Sequence, residues 1–390
     1  MTLDIDRLRN ETRGCTHVTH FNNAGASLLA DPILEAVIEY LEEEACYGGY
    51  ETAGKRRSEL EATYALIADL INAHSDEIAL LENATAAWNM AFYSIDFSEG
   101  DKILTSVSEY ASNYINYLNL KRKTGIIVEV IPNDSSGQTD AEALSEMMDE
   151  SVKLISITHI PTNNGLVNPA EDIGKIARQH EVLYLLDACQ SVGQYPIDVK
   201  KIGCDMLSAT GRKYMRAPRG TGFLYVSKRI LKKLHPPFLD LHSAEWTGKN
   251  KYEVRSDARK FENWETNYAG IIGLNKAVSY ILDLGIHKIW ERVQFLADQF
   301  RRKLDALPGV AVRDIGKVKC GIVTFTVNGR SAEDIRQFLH NYDINVSIST
   351  RSSTLLDMQS RNLQEAVRAS VHYYNTEEEI EGFIKKLSEL

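Results

Sequence analysis

The chain lacks the marks of several protein classes. It has no Cys-x-x-Cys pair: Cys15, Cys46, Cys189, Cys204 and Cys320 are scattered over 390 residues. That excludes the usual zinc-ligand and disulfide-framework patterns and suits a reducing compartment, so a cytoplasmic protein is expected. The opening Met-Thr-Leu-Asp-Ile-Asp has neither a basic n-region nor an apolar h-region, and no uninterrupted apolar stretch approaches membrane-spanning length. Neither a signal peptide nor a membrane anchor is expected. Basic charge is in deficit, with a net charge of -10 and a pI near 5.6. Phosphate backbones are held by clustered basic residues, so a nucleic-acid partner is not expected, and the run Lys228-Arg-Ile-Leu-Lys-Lys233 reads as a solvated helix face. Internal repeats and low-complexity linkers are also missing.

What is present is an ordinary globular composition, 44% hydrophobic, in a chain long enough for a large core and two domains. Through its first two thirds, short β-branched runs alternate with amphipathic segments. The runs Lys102–Ser106, Ile126–Ile131, Lys153–Thr158 and Val182–Asp187 read as strands, and Ala141–Asp149 and Ala170–His180 as intervening helices. That order predicts an α/β domain with a mostly parallel sheet flanked by helices. Gly222–Val226 reads as a further strand, entered through the turn Arg219-Gly-Thr-Gly. From about residue 275 a long helix (286–307) leads into strands at 322–327, 344–348 and 367–371 and a charged final helix, a smaller α+β domain. The expected division is an N-terminal segment, 1–20, packing with the small domain, a large domain over 21–274 and a small domain over 275–390.

The chemistry concentrates in Leu185-Leu-Asp-Ala-Cys-Gln-Ser191 and Ser208-Ala-Thr-Gly-Arg-Lys-Tyr214. In an open parallel sheet, ligands gather beyond the carboxyl ends of strands, where Asp187 stands. An acidic group there can keep a pyridine nitrogen protonated, and Lys213, after a Thr-Gly turn, can form a Schiff base with an aldehyde. Pyridoxal 5'-phosphate (PLP) is the cofactor that asks for both. Gln190 can donate to its phenolic oxygen. Thr210 and Arg212 are placed to contact its phosphate, and Asn83-Ala-Thr-Ala-Ala-Trp88 begins a helix whose first amides and Thr85 hydroxyl form an anion site. No metal site is expected.

Further segments share this pattern: Phe21-Asn-Asn-Ala-Gly, Ser108-Glu-Tyr-Ala-Ser-Asn113, His159-Ile-Pro-Thr-Asn-Asn-Gly-Leu-Val-Asn-Pro169 and Val367-Arg-Ala-Ser-Val-His-Tyr-Tyr-Asn-Thr376. With these motifs in this order, the chain resembles class V aminotransferase-fold PLP enzymes (fold type I) of the cysteine desulfurase-like group over nearly its whole length. Within that group it is most similar to the branch of ergothioneine-type carbon–sulfur lyases. The resemblance implies that Lys213 is the Schiff-base lysine, Asp187 the pyridine partner and Gln190 the phenolic-oxygen partner. It also implies that Ala84, Thr85, Thr210 and Arg212 grip the phosphate, and that Arg368, helped by Asn163, binds the α-carboxylate of an amino-acid substrate. A homodimer is implied too, with Phe261-Glu-Asn-Trp-Glu-Thr266 approaching the partner's site.

Two departures bear on the reaction. Tyr110 stands where relatives place a histidine over the cofactor ring; it can stack there but cannot act as an imidazole acid or base. The loop in which desulfurases carry a sulfur-accepting cysteine reads Asn345-Val-Ser-Ile-Ser-Thr-Arg-Ser-Ser-Thr-Leu-Leu-Asp357, without one. Cys189 is expected to pack as a small apolar residue. The expected reaction is therefore carbon–sulfur β-lysis of a cysteine S-conjugate or its sulfoxide, releasing pyruvate and ammonia, with Arg351, Arg216, His372 and Tyr47 on the rim. The alternatives are transamination, racemisation or epimerisation at the same site, desulfuration through an atypical thiol, and a catalytically silent binding platform.

Overall fold

The computed structural model describes residues 3–390. Seven strands form the central sheet: β1 (Ile78–Leu81), β2 (Lys102–Ser106), β3 (Ile127–Ile131), β4 (Val152–Thr158), β5 (Leu183–Asp187), β6 (Met206–Thr210) and β7 (Gly222–Val226). Their spatial order is β1-β7-β6-β5-β4-β2-β3. Only β7 runs against its neighbours β1 and β6; the remaining pairs are parallel. β6 and β7 are buried at every position, and neither carries a charged residue. Helix Ala170–Gln179 buries Ala170, Ile173, Gly174 and Ala177, the i, i+3, i+4, i+7 stripe of a helix packed on a sheet.

The smaller sheet is antiparallel. Val310–Val312, Ile322–Val327, Glu365–Ser370 and Ser347–Thr350 lie side by side in that order. The run expected as one strand over 344–348 is split. Ile344–Asn345 pairs in parallel with Thr19–His20, and Ser347–Thr350 pairs antiparallel with Glu365–Ser370. Two partners of opposite direction cannot share one straight strand, so the chain breaks at Val346.

Residue 275 falls inside helix Tyr268–Leu284, which runs on without interruption and packs against helices Asp31–Tyr47 and Arg57–Ile71. The chain turns 80° at Gly285, whose φ is +83°, into helix Ile286–Asp305, which packs on the small sheet through Ile289, Val293, Leu296 and Phe300. Near the N-terminus, Arg9 donates to the Tyr374 carbonyl at 3.0 Å and pairs with Glu379 at 2.7 Å. No single helix among the described residues is long and apolar enough to cross a membrane.

Candidate active site

The carboxyl ends of β4, β5 and β6 open into a cavity of about 440 Å³, within the range of a cofactor or small-ligand site. Ala84, Thr85, Tyr110, Asp187, Gln190, Thr210, Arg212 and Lys213 all line it, so most of the residues singled out from sequence meet in one place. Asn113, Thr158, Thr162 and Cys189 complete its polar wall. A larger cavity, about 750 Å³, lies elsewhere, against Tyr195 and Trp290, and contains none of the eight.

Each side chain is positioned by its local structure. Asp187 closes β5, where one carboxylate oxygen accepts from the Cys189 amide at 2.9 Å and the other from Asn113 Nδ2 at 3.0 Å. Burial pushes its pKa up against those two donors and the nearby Lys213 charge. Lys213 follows β6 and reaches back so that Nζ lies 3.3 Å from Cys189 Sγ. The turn that carries it is pressed against Gly193, where φ is +96° and an added Cβ would sit 2.4 Å from the Tyr214 carbonyl carbon; only glycine fits there.

At the other end of the cavity, Asn83 caps helix Ala84–Phe92 by accepting from the Ala86 amide at 2.9 Å. Gly222 lets β7 approach that cap, since a Cβ there would lie 2.9 Å from the Asn83 carbonyl carbon. Arg212 is held by the Gly25 carbonyl.

Several expectations change. Asn163 does not line the cavity: it is fully buried and donates to Asp357 at 2.6 Å. The neighbouring Thr162 faces the cavity in its place. Arg368 stands behind Thr162, donating to its hydroxyl at 2.5 Å and to Asn22 Oδ1 at 3.3 Å, while Nε has no partner. Burial pulls its pKa down to about 10, because among the described residues no carboxylate pairs with it.

Arg216 and His372 are not rim residues. Arg216 is buried with φ at +58° and donates to Leu28 O, Tyr373 Oη and Thr12 Oγ1, bonds that hold a conformation non-glycine residues avoid. His372 is buried against the Tyr214 carbonyl at 2.9 Å. Tyr47 is exposed at the end of its helix and does not line the cavity. Phe261 and Glu262 are buried in their own subunit, so only Asn263, Trp264 and Glu265 of that segment are exposed. Cys189 lines the cavity beside Lys213 instead of packing out of reach.

The residues fit PLP. A buried carboxylate, a lysine, an arginine and a helix N-terminus all converge on the cavity, matching a cationic ring, an aldehyde and a phosphate, and Gln190 lines the same wall with its Nε2 donating to the Ala24 carbonyl at 3.1 Å. Glu109, which no motif reading assigned a role, is buried one hydrogen bond behind this wall.

The chain is similar over its whole length to known proteins. The chain is 31% identical over 380 residues to a probable cysteine desulfurase of Pyrococcus abyssi, covering 96% of this chain and 94% of that protein. It is 28% identical to a cysteine desulfurase of Shigella sonnei, covering 100% and 99%. The apo structure of a cysteine desulfurase from Thermococcus onnurineus superposes with a TM-score of 0.93 at 27% identity, covering 100% of this chain and 98% of that one. A cystine C–S lyase solved with its product cysteine persulfide shares the fold, with a TM-score of 0.88 at 22% identity over 97% of this chain and 99% of that one. Residues 19–383 match the class V aminotransferases, and the chain belongs to that family of PLP-dependent enzymes.

Proposed function

We propose that the chain cleaves the carbon–sulfur bond of cysteine or a cysteine-derived amino acid, in the manner of the desulfurases among its relatives. PLP, when bound, supplies the electron sink for bond breaking at the substrate's α-carbon. The protein's residues do the rest. Lys213 would hold the cofactor's aldehyde covalently and would carry the substrate's α-proton on Nζ. Asp187 would keep the pyridine nitrogen protonated, Gln190 would face the phenolic oxygen and Tyr110 would cover the ring. Ala84, Thr85, Thr210 and Arg212 hold the phosphate. Arg368 receives the α-carboxylate, exchanging a neutral hydroxyl for an anion that its planar fork can match. We also expect a homodimer, with the exposed Asn263-Trp264-Glu265 turn carried toward the neighbouring cavity.

The observation that carries the desulfurase reading is the Cys189 thiol, 3.3 Å from Lys213 Nζ inside the cavity. A thiol there can take the substrate sulfur, leaving alanine and a protein persulfide: the carbon–sulfur bond breaks, a sulfur–sulfur bond forms, and the proton from the thiol ends on the substrate carbon. A second reading is favoured by the cysteine-free segment Asn345–Asp357 and by the burial that pushes the Cys189 pKa up and keeps it a thiol. It is the β-lysis of an S-conjugate or sulfoxide, ergothioneine-lyase-like, in which the sulfur departs with its substituent and water releases pyruvate and ammonia.

One experiment separates them. Wild type and Cys189→Ala are incubated with cysteine, cystine, S-substituted cysteines and their sulfoxides, and alanine, pyruvate, ammonia and protein persulfide are quantified. Alanine and persulfide that vanish in Cys189→Ala establish desulfuration. Stoichiometric pyruvate that survives the substitution establishes the lyase. Only keto-acid exchange or an inverted amino acid would overturn both.

A further inference from the structure

Behind Asp187 stands a second buried carboxyl. Asn113 Nδ2 donates 3.0 Å to Asp187 Oδ2 and 2.8 Å to Glu109 Oε1, so one amide bridges two carboxyls. Glu109 is also tied to the strands beside it. Its Oε2 accepts from Thr105 Oγ1 at 2.9 Å and the Thr158 amide at 3.2 Å, and its Oε1 from Thr158 Oγ1 at 2.5 Å and the Tyr110 amide at 3.0 Å. Among the described residues no cationic side chain pairs with it. The titratable groups facing it are Asp187 from β5 and the Tyr117 phenol from helix Ala111–Thr124, itself donating to Ser156 at 2.7 Å. Lys213 and Cys189 face Asp187.

All five contacts place a donor on Glu109, which suits the ionised, acceptor-only carboxyl, while burial opposes its charge. An acid in this place, one amide away from the pyridine partner, changes the field at that partner whenever it ionises. Burial pushes its pKa up to about 7, with the Asp187 charge adding to the rise and its hydroxyl and amide donors opposing it.

We propose that Glu109 is a positioning residue for the pyridine-nitrogen site: acting through Asn113, its charge sets where the proton shared by Asp187 and the ring nitrogen lies. As Glu109 ionises it draws the Asn113 amide toward itself, Asp187 loses part of a donor, and the shared proton moves toward Asp187. The same network carries the Tyr110 amide, so the ring cover is held by the same carboxyl. The inference rests on the cofactor assignment and is independent of where the sulfur goes.

The test uses substrate-free holoenzyme loaded with PLP labelled with 15N in the ring, its nitrogen resonance followed from pH 5 to 9. The expected result is an inflection with a midpoint near 7 that disappears in Glu109→Gln. Thr105→Val removes a donor to the ionised form and should raise that midpoint by about one pH unit, a shift that a merely structural role would not produce. An inflection unchanged in Glu109→Gln overturns the proposal. If that variant does not fold, an unmoved midpoint in Thr105→Val overturns it alone. Wild-type protein that fails to take up PLP would overturn the cofactor assignment itself, a separate outcome seen before any titration.

Discussion

The two walls of the cavity are built differently. On the large-domain side, Asp187, Thr158 and Thr210 stand at the ends of adjacent strands, and Asp187 has a partner on each carboxylate oxygen. On the small-domain side, Arg368 comes from the antiparallel sheet. It rests on a hydroxyl and a side-chain amide, with Nε unpartnered and the guanidinium buried. A buried cation held only by neutral oxygens is incompletely compensated. On the proposed assignment, the difference teaches that Asp187 is fully partnered before anything binds, whereas the carboxylate wall would be completed by its ligand. Substitutions on the two sides should therefore fail in different ways.

The largest effect belongs to the cofactor wall. On the proposed assignment Lys213→Ala removes both the covalent anchor and the base, and should lower turnover by at least about 10³-fold and abolish the visible band of the covalently bound cofactor. Steady-state assays and an absorbance spectrum check this. Turnover near that of wild type would mean that Lys213 is neither anchor nor base, and the cofactor wall would lose its assignment. On the other wall, Arg368→Lys replaces a planar fork with a point charge. KM for α-carboxylate substrates should rise about 10- to 100-fold, the equivalent of one or two charge-assisted hydrogen bonds, with kcat less affected and the cofactor spectrum unchanged. A spectrum that changes while KM does not would break the comparison, since the walls would then not be separable.

The two walls also differed in how far they could be read from sequence. Asp187, Gln190, Thr210, Arg212 and Lys213 occupy two short stretches at strand ends, where a strand's direction and a turn's chemistry decide which way a side chain points. Their convergence was legible for that reason. Asn163 was not, because which of two neighbouring polar residues faces a cavity is decided by the partner across the domain, here the buried Asp357, which Arg361 also holds at 3.0 Å. Arg216 and His372 were expected on the rim, but Thr12, Tyr373 and the Tyr214 carbonyl close on them from distant parts of the chain. Glu109 lay inside a quoted motif, yet its role depends on Thr105, Thr158 and Asp187 from three other segments. Strand positions were legible from β-branched runs, whereas the break at Val346 follows from pairing with two sheets at once.

The smallest expected effect sharpens the contrast most. Thr162 accepts from Arg368, in the place that the proposed assignment gives to a substrate carboxylate. If its hydroxyl is a stand-in, displaced on binding, then Thr162→Val leaves the free enzyme with a less satisfied guanidinium and the complex nearly unchanged. Loss of a hydrogen bond in the free state alone makes binding more favourable. KM should then fall by about two- to fivefold, less than the ~1.5 kcal/mol that a hydrogen bond to a charged group can supply, and kcat should hold. If the hydroxyl instead stays and aims the guanidinium, the same substitution raises KM, and the carboxylate wall is as preorganised as the cofactor wall. The sign of the change, read from initial rates at varied substrate, decides between a wall that waits for its ligand and one that is already complete.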